Sequence, residues 1–250
     1  MRVTHTRTAL LLVAGLLAAC DSGGNAAPDT LGTTPPTASV PGSTTTVALG
    51  STTSTVAATV PEGAVALSAD GPWTLVDSAP GVTQPGLVYS LMPGLWVYLP
   101  VEEDIENGIT WVLNEQDRPV IEAYLMARLT FFRATQHDPI DLDDDGWRNW
   151  YVDGGAAYAT VLEARRTRHE VFDLDVGVVL RPVVLGEERS DSEAIVFDCM
   201  LDGGVWRLPD GSLGAESTPG VVLNGLGVRL RFADGIWKAA SVANQPEACQ

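Results

Sequence analysis

Basic side chains are scarce in this chain. Fifteen Lys and Arg stand against 32 Asp and Glu, the net charge is −17, and Lys238 is the lone lysine. A chain of that sign excludes charge-driven binding to DNA, RNA or anionic lipid, because it offers no phosphate-binding patch. Histidine is nearly missing: the three are His5, His137 and His169, too few for a His-rich metal centre. Also missing are G-x-S-x-G, a Walker loop, H-E-x-x-H and the dinucleotide fingerprint, so hydrolytic and redox chemistry have no motif to stand on and no cofactor is implied. Long apolar runs are lacking too. Ala9–Ala19 covers 11 residues, well short of the roughly 20 that span a bilayer.

That short run has a different use. MRVTHTR, with Arg2 and Arg7, precedes ALLLVAGLLAA, giving the basic and apolar regions of a signal segment. The run stops at Leu17-Ala18-Ala19-Cys20, and DSGGN follows at once. Small residues before such a Cys resemble the lipobox of bacterial secreted lipoproteins. The resemblance implies a leader over 1–19, cleavage before Cys20, and lipidation of Cys20. The mature chain would then be extracytoplasmic, held on the outer face of the cell membrane by its lipid. An ordinary secretory signal with an incidental Cys is the alternative.

Residues 20–65 form the next feature. From 21 to 65 there are 16 Ser or Thr and no aromatic residue, Lys or Arg. Such a stretch cannot bury enough apolar surface to offset chain entropy, so it is expected to be a disordered tether. Two cysteines remain after Cys20. Cys199 and Cys249 are an even pair in an oxidising compartment and are expected to be bridged. A thiol nucleophile is the alternative, but the nearest His in sequence is His169, and nothing fixes it beside either thiol.

All seven Trp, five Tyr and five Phe fall beyond residue 65, so one domain's worth of core is available there. Residues 66–116 read as a small β-rich extension cut by Pro and Gly, with Asn107-Gly108 as a hairpin turn. In LWVYLP both faces are apolar, as in a strand covered on two sides. From 117 helical signals dominate. Asp117 can cap, Pro119 lies in the first turn, and Ile121, Leu125, Leu129 and Phe132 recur at helical spacing. A second helical stretch holds Trp147, Trp150, Tyr151 and Tyr158, split at Gly154-Gly155. After His169 come four strand candidates. In one of them Val228, Leu230 and Phe232 alternate inward with Arg229 and Arg231 outward.

Helices followed by strands predict an α+β domain over 117–250. AYLMARLTFF, WRNWYVDGGAAYATVLEARR and a terminal FADGIWKAASV resemble the nuclear transport factor 2-like (SnoaL-like) family, and VFDCMLDGG with PEAC resembles its secreted lipoprotein members. The resemblance implies helices packed on a strongly curved antiparallel sheet, cone-shaped, with an interior cavity. It also brings the expectation of a homodimer.

Two clusters are candidates for chemistry. DLDDDGWRNW places Asp141, Asp143, Asp145 and Gly146 at positions 1, 3, 5 and 6 of a calcium loop, but Val152 stands where the bidentate acid belongs. The competing reading makes Asp144 or Asp145 the cap of the helix that opens with Trp147. Enzymes of the resembled family place an Asp or a His–Asp pair in the cone, with a Tyr donor. The residues available for those roles are Tyr124, His169 and Asp198. Asp198 faces inward if Val196 does, and solvent if Ile195 and Phe197 do.

Three functions follow as expectations. The first is a non-catalytic lipoprotein that binds a small apolar ligand or docks an envelope protein. The second is a SnoaL-like isomerase, cyclase or dehydratase on a small apolar substrate, and the third a calcium-dependent surface protein. Independent of that choice, Cys20→Ser is expected to move the protein from the membrane to the soluble fraction on cell fractionation. Unchanged membrane retention would remove the lipid anchor from the argument.

Overall fold

The structure, a computed structural model, describes residues 59–107, 109–215 and 217–249. The leader, Cys20, the tether up to residue 58 and Gly108 of the expected hairpin turn lie outside the described residues. Val65 and Ala66 already pack against the core.

Three strands come first: β1 (Thr74–Val76), β2 (Gly86–Met92) and β3 (Leu95–Pro100). Three helices follow: α1 (Arg118–Thr135), α2 (Asp145–Trp150) and α3 (Ala156–Thr167). The rest is strand: β4 (Val171–Asp173), β5 (Val178–Leu180), β6 (Pro182–Val184), β7 (Glu193–Asp202), β8 (Val205–Arg207), β9 (Val222–Ala233) and β10 (Ile236–Asn244). The fold is α+β, with few helices and a mostly antiparallel sheet.

The main sheet runs β1-β2-β3-β5-β7-β9-β10, with β6 also on β7, while β4 and β8 form a separate pair. Among the described strands, β3 and β5 are the pair that runs parallel, through Leu95↔Val178, Trp96↔Val179 and Val97↔Leu180. Residues 74–100 therefore supply strands of the same sheet as the later segment. β3 is covered on two sides, as its pattern predicts: Leu95, Val97 and Leu99 join the large core, and Tyr98 joins a small cluster with Ala79, Val88 and Val179.

The sheet is not strongly curled, contrary to the cone expected from the resemblance. Sharp curvature needs bulges along the strands. The β7–β9 ladder instead runs unbroken from Glu193↔Arg231 to Asp202↔Val222. Register shifts occur in β2 between Ser90 and Met92 and in β10 between Ala239 and Ser241. A second correction concerns Phe232, expected inward with Val228 and Leu230. Those two are buried, but Phe232 is 48% exposed. It sits at the end of the β9–β10 hairpin, where it lines an open concavity, and packs edge-on against Trp237.

α1 carries the core. Its stripe of Ile121, Tyr124, Leu125, Leu129 and Phe132 is almost fully buried, and it packs on β10, β6, β7 and β9. Each such side chain contributes about 1.5–3 kcal/mol of burial. Asp117 precedes the helix but makes no cap hydrogen bond with its side chain. The side chain of Asn114 serves instead: its Oδ1 accepts from Asp117 N at 2.9 Å, while its Nδ2 donates to Asp117 Oδ2 at 2.8 Å.

Cys199 and Cys249 are joined, with S–S 2.18 Å and Cα–Cα 5.6 Å. The turn Pro246–Cys249 lies across β9 at Gly225, whose carbonyl accepts from Gln245 N at 2.8 Å. Only glycine fits there, since a Cβ would meet Gln245 O at 2.1 Å. The bridge closes a loop of 50 residues, for which chain entropy predicts about 3–4 kcal/mol of stabilisation. The double change Cys199→Ala, Cys249→Ala is therefore expected to lower stability by about that amount in a urea titration. Two freely titrating thiols in the native exported protein would overturn this.

Candidate functional site

β7 alternates along the sheet, and its inner face holds Val196, Asp198 and Met200, all buried. That settles the orientation left open by the sequence: Asp198 points toward α1. Its Oδ2 accepts a short hydrogen bond from the Tyr124 hydroxyl, and its Oδ1 accepts from Arg181 N at 2.6 Å. Arg181 lies at the break between β5 and β6, where its N–H turns to the carboxylate. Of the three expected residues, Tyr124 and Asp198 thus meet.

His169 does not join them. It follows α3 at φ +55 and donates its N–H to Arg166 O at 3.0 Å, while Glu170 N reaches Arg165 O at 3.1 Å. This is a Schellman ending, with His169 in the position that glycine usually takes. Its ring is exposed, with Nδ1 2.8 Å from Asp138 Oδ1. The helix end, not the first strand, claims this residue, and the family role expected of it has no geometry here.

Burial pushes the Asp198 carboxyl up to about 6, against the opposing pull of the Tyr124 and Arg181 hydrogen bonds and of the Arg128 charge. Burial likewise holds the Tyr124 phenol well above its usual range, and the nearby Asp198 adds to this. The carboxyl is already matched on both oxygens and has no solvent exposure.

Three of the four aspartates of 141–145 are spent on local structure. Asp144 caps α2, accepting from Gly146 N at 2.6 Å. Asp141 Oδ1 accepts from Asp143 N at 2.9 Å, and Asp145 pairs with Arg148. Among the described residues no group of three or more His, Cys, Asp or Glu gathers where a metal could be held.

A cavity of about 370 Å³ opens nearby, between α1, α3 and the sheet. That is within the roughly 300–1,000 Å³ usual for small-molecule sites. Its walls are a chain of aromatic rings. Tyr158 lies 5.2 Å from Phe131, Phe131 5.4 Å from Phe132, Phe132 5.6 Å from Phe172, and Phe172 5.0 Å from Trp206. Leu162, Met200, Leu226 and Val242 complete the apolar lining. Asp198 is not part of it. Arg128 is, although it is a buried cation inside the apolar stripe of α1.

Arg128 is not among the candidates read from the sequence above. The signal was present: it stands one helical turn after Tyr124, between Leu125 and Leu129, where a charge has no solvent to reach. A larger concavity, about 630 Å³, lies between residues 68–73, the start of α1 and the β9–β10 hairpin. Two of its charged groups have partners within the chain, although Arg189 Nε makes no hydrogen bond. Glu122 Oε1 accepts from Ser68 N at 2.7 Å and Ser68 Oγ at 2.5 Å, and Arg189 lies 3.4 Å from Asp117 and over Trp237.

Comparison with protein-family models and with curated proteins finds no match to this chain.

The raised Asp198 has a consequence for stability. A carboxyl whose folded value of about 6 exceeds its ordinary 3.8 gives the folded state its advantage at low pH, and that advantage is lost as pH rises through about 6. Asp198→Asn removes this dependence. Between pH 4 and pH 7, wild type is expected to lose on the order of 3 kcal/mol relative to Asp198→Asn in paired thermal melts. Parallel curves for the two proteins would place the carboxyl at an ordinary value.

Proposed function

We propose that this protein is an extracytoplasmic lipoprotein, held to the outer face of the membrane through Cys20, whose domain binds a small apolar ligand without chemical change. The lipobox-like Leu17-Ala18-Ala19-Cys20 and the Ser/Thr-rich tether support the anchoring, and no helix among the described residues is long and apolar enough to cross a membrane. The nuclear transport factor 2-like arrangement belongs to the same proposal. It is supported by α1 and α3 lying against the antiparallel strands β7, β9 and β10, and opposed by the modest curl of the sheet.

The observation that carries the reading is the aromatic-walled cavity of about 370 Å³ between α1, α3 and the sheet. Rings that line a concave site supply large apolar contact with little loss of side-chain freedom.

The rival is an isomerase, cyclase or dehydratase, and its support is Asp198, raised to about 6. A general base must reach the proton it takes. Asp198 lies outside the cavity lining, fully buried, with both oxygens occupied. Binding is therefore the better-supported reading. Nothing favours a calcium-dependent surface protein, because the loop aspartates act as caps and turn formers.

The test is uptake of an uncharged fluorescent naphthylamine, N-phenyl-1-naphthylamine, by the full chain. Emission is expected to rise on binding, and Val242→Trp, which fills the cavity wall, is expected to weaken affinity at least tenfold. Failure of the probe to bind, or binding that Val242→Trp leaves unchanged, would overturn the assignment.

A further inference from the structure

We infer that the cavity between α1, α3 and the sheet selects ligands with an acidic head, an apolar or aromatic carboxylate, and that Arg128 is the group that holds the head. This rests on the ligand-binding reading above and specifies its chemistry.

Arg128 is 6% exposed and lines the cavity. A guanidinium has five donors and remains charged in a protein. Here those donors find little. Nε has no partner, and Nη2 reaches the Met200 sulfur at 3.9 Å. The guanidinium also donates a hydrogen bond to the Tyr158 phenol oxygen, a neutral partner. Among the described residues no carboxylate lies within 4.0 Å of the group. Its other contacts are ring faces, with Phe132 at 4.6 Å and Phe131 at 5.1 Å.

A buried cation without a close anion is costly, and such groups are normally paired. Asp198 acts on Arg128 at longer range, but its oxygens are committed to Tyr124 and to Arg181 N. The other charges in the lining are also committed. Arg165 bonds Glu170 Oε2 at 2.6 Å and lies over Trp206, while Asp202 accepts from Asn224 Nδ2 at 3.1 Å and Gly204 N at 3.0 Å. Among the described residues Arg128 is thus the cation of this lining that has no ion pair, while Asp202, its anion, has both oxygens occupied by neutral donors. A carboxylate entering head first would meet the guanidinium through charge-assisted, two-pronged hydrogen bonds, and its apolar body would lie against the rings.

The experiment compares 4-phenylbutyrate with the uncharged 4-phenylbutanol, by calorimetric titration of the full chain at neutral pH. Wild type is expected to bind the acid at least tenfold more tightly than the alcohol. Arg128→Met, similar in volume, is expected to abolish that preference while retaining the alcohol. Arg128→Lys is expected to keep part of the preference for the acid. Equal affinity of wild type for the two probes would overturn the inference and leave the apolar-cavity reading standing. A preference for the acid that survives in Arg128→Met would also overturn it. Binding of neither probe would overturn both. If Arg128→Met fails to fold, Arg128→Lys takes its place: an unchanged preference for the acid in that variant would overturn the assignment to Arg128.

Discussion

The hydrogen bonds that converge on Asp198 are what the rest of the molecule is arranged around. Tyr124 comes from the main helix, Asp198 from the central strand and the Arg181 N–H from a neighbouring strand break. An ionisable group with no solvent contact tolerates one geometry, because a small shift of helix against sheet would leave a buried oxygen or hydroxyl unmatched. Apolar packing around Ile121, Leu125 and Leu129 supplies most of the stabilisation but accepts many registers. The polar contact selects among them. It also uses up the acid that a catalytic reading would need, so specificity of the fold and availability for chemistry compete for one side chain.

Much of this was legible from periodicity. The stripe of α1, the cap at Asp144 and the break at Gly154-Gly155 all follow from local rules, because each depends on neighbours within one or two helical turns. The strands β7, β9 and β10 were likewise readable from alternation. What failed was non-local. Residues 66–116 read as an extension, yet their strands belong to the main sheet through a parallel contact that no turn sequence announces. Phe232 obeys alternation and is still exposed, because it faces an open concavity rather than the packed core. Curl was inferred from resemblance, and strand patterning alone does not encode it.

The candidate site was legible only in part. Tyr124 and Asp198, two of the three candidates, do meet, whereas His169 belongs to a helix ending, and its positive φ could not be read without the backbone. Arg128 carries the opposite lesson. A cation in an apolar stripe is visible in the sequence, but its significance lies in the missing counter-charge, which appears only once the surrounding elements are in place. In a chain with net charge −17, a buried cation facing a cavity is the opposite of what the overall composition suggests.

The parallel ladder between β3 and β5 has one more consequence. The partners Leu95 and Val178 are separated by a stretch that holds α1, α2 and α3. The helical layer is therefore the crossover of a single long connection, whose ends must be brought together for the two parts of the sheet to meet. The other ladders close much shorter loops, as in the hairpins β2–β3 and β9–β10. Closure entropy is concentrated in this one join. The kinetics of assembly should accordingly be governed less by the strands themselves than by the time the chain takes to lay three helices across the gap between Leu95 and Val178.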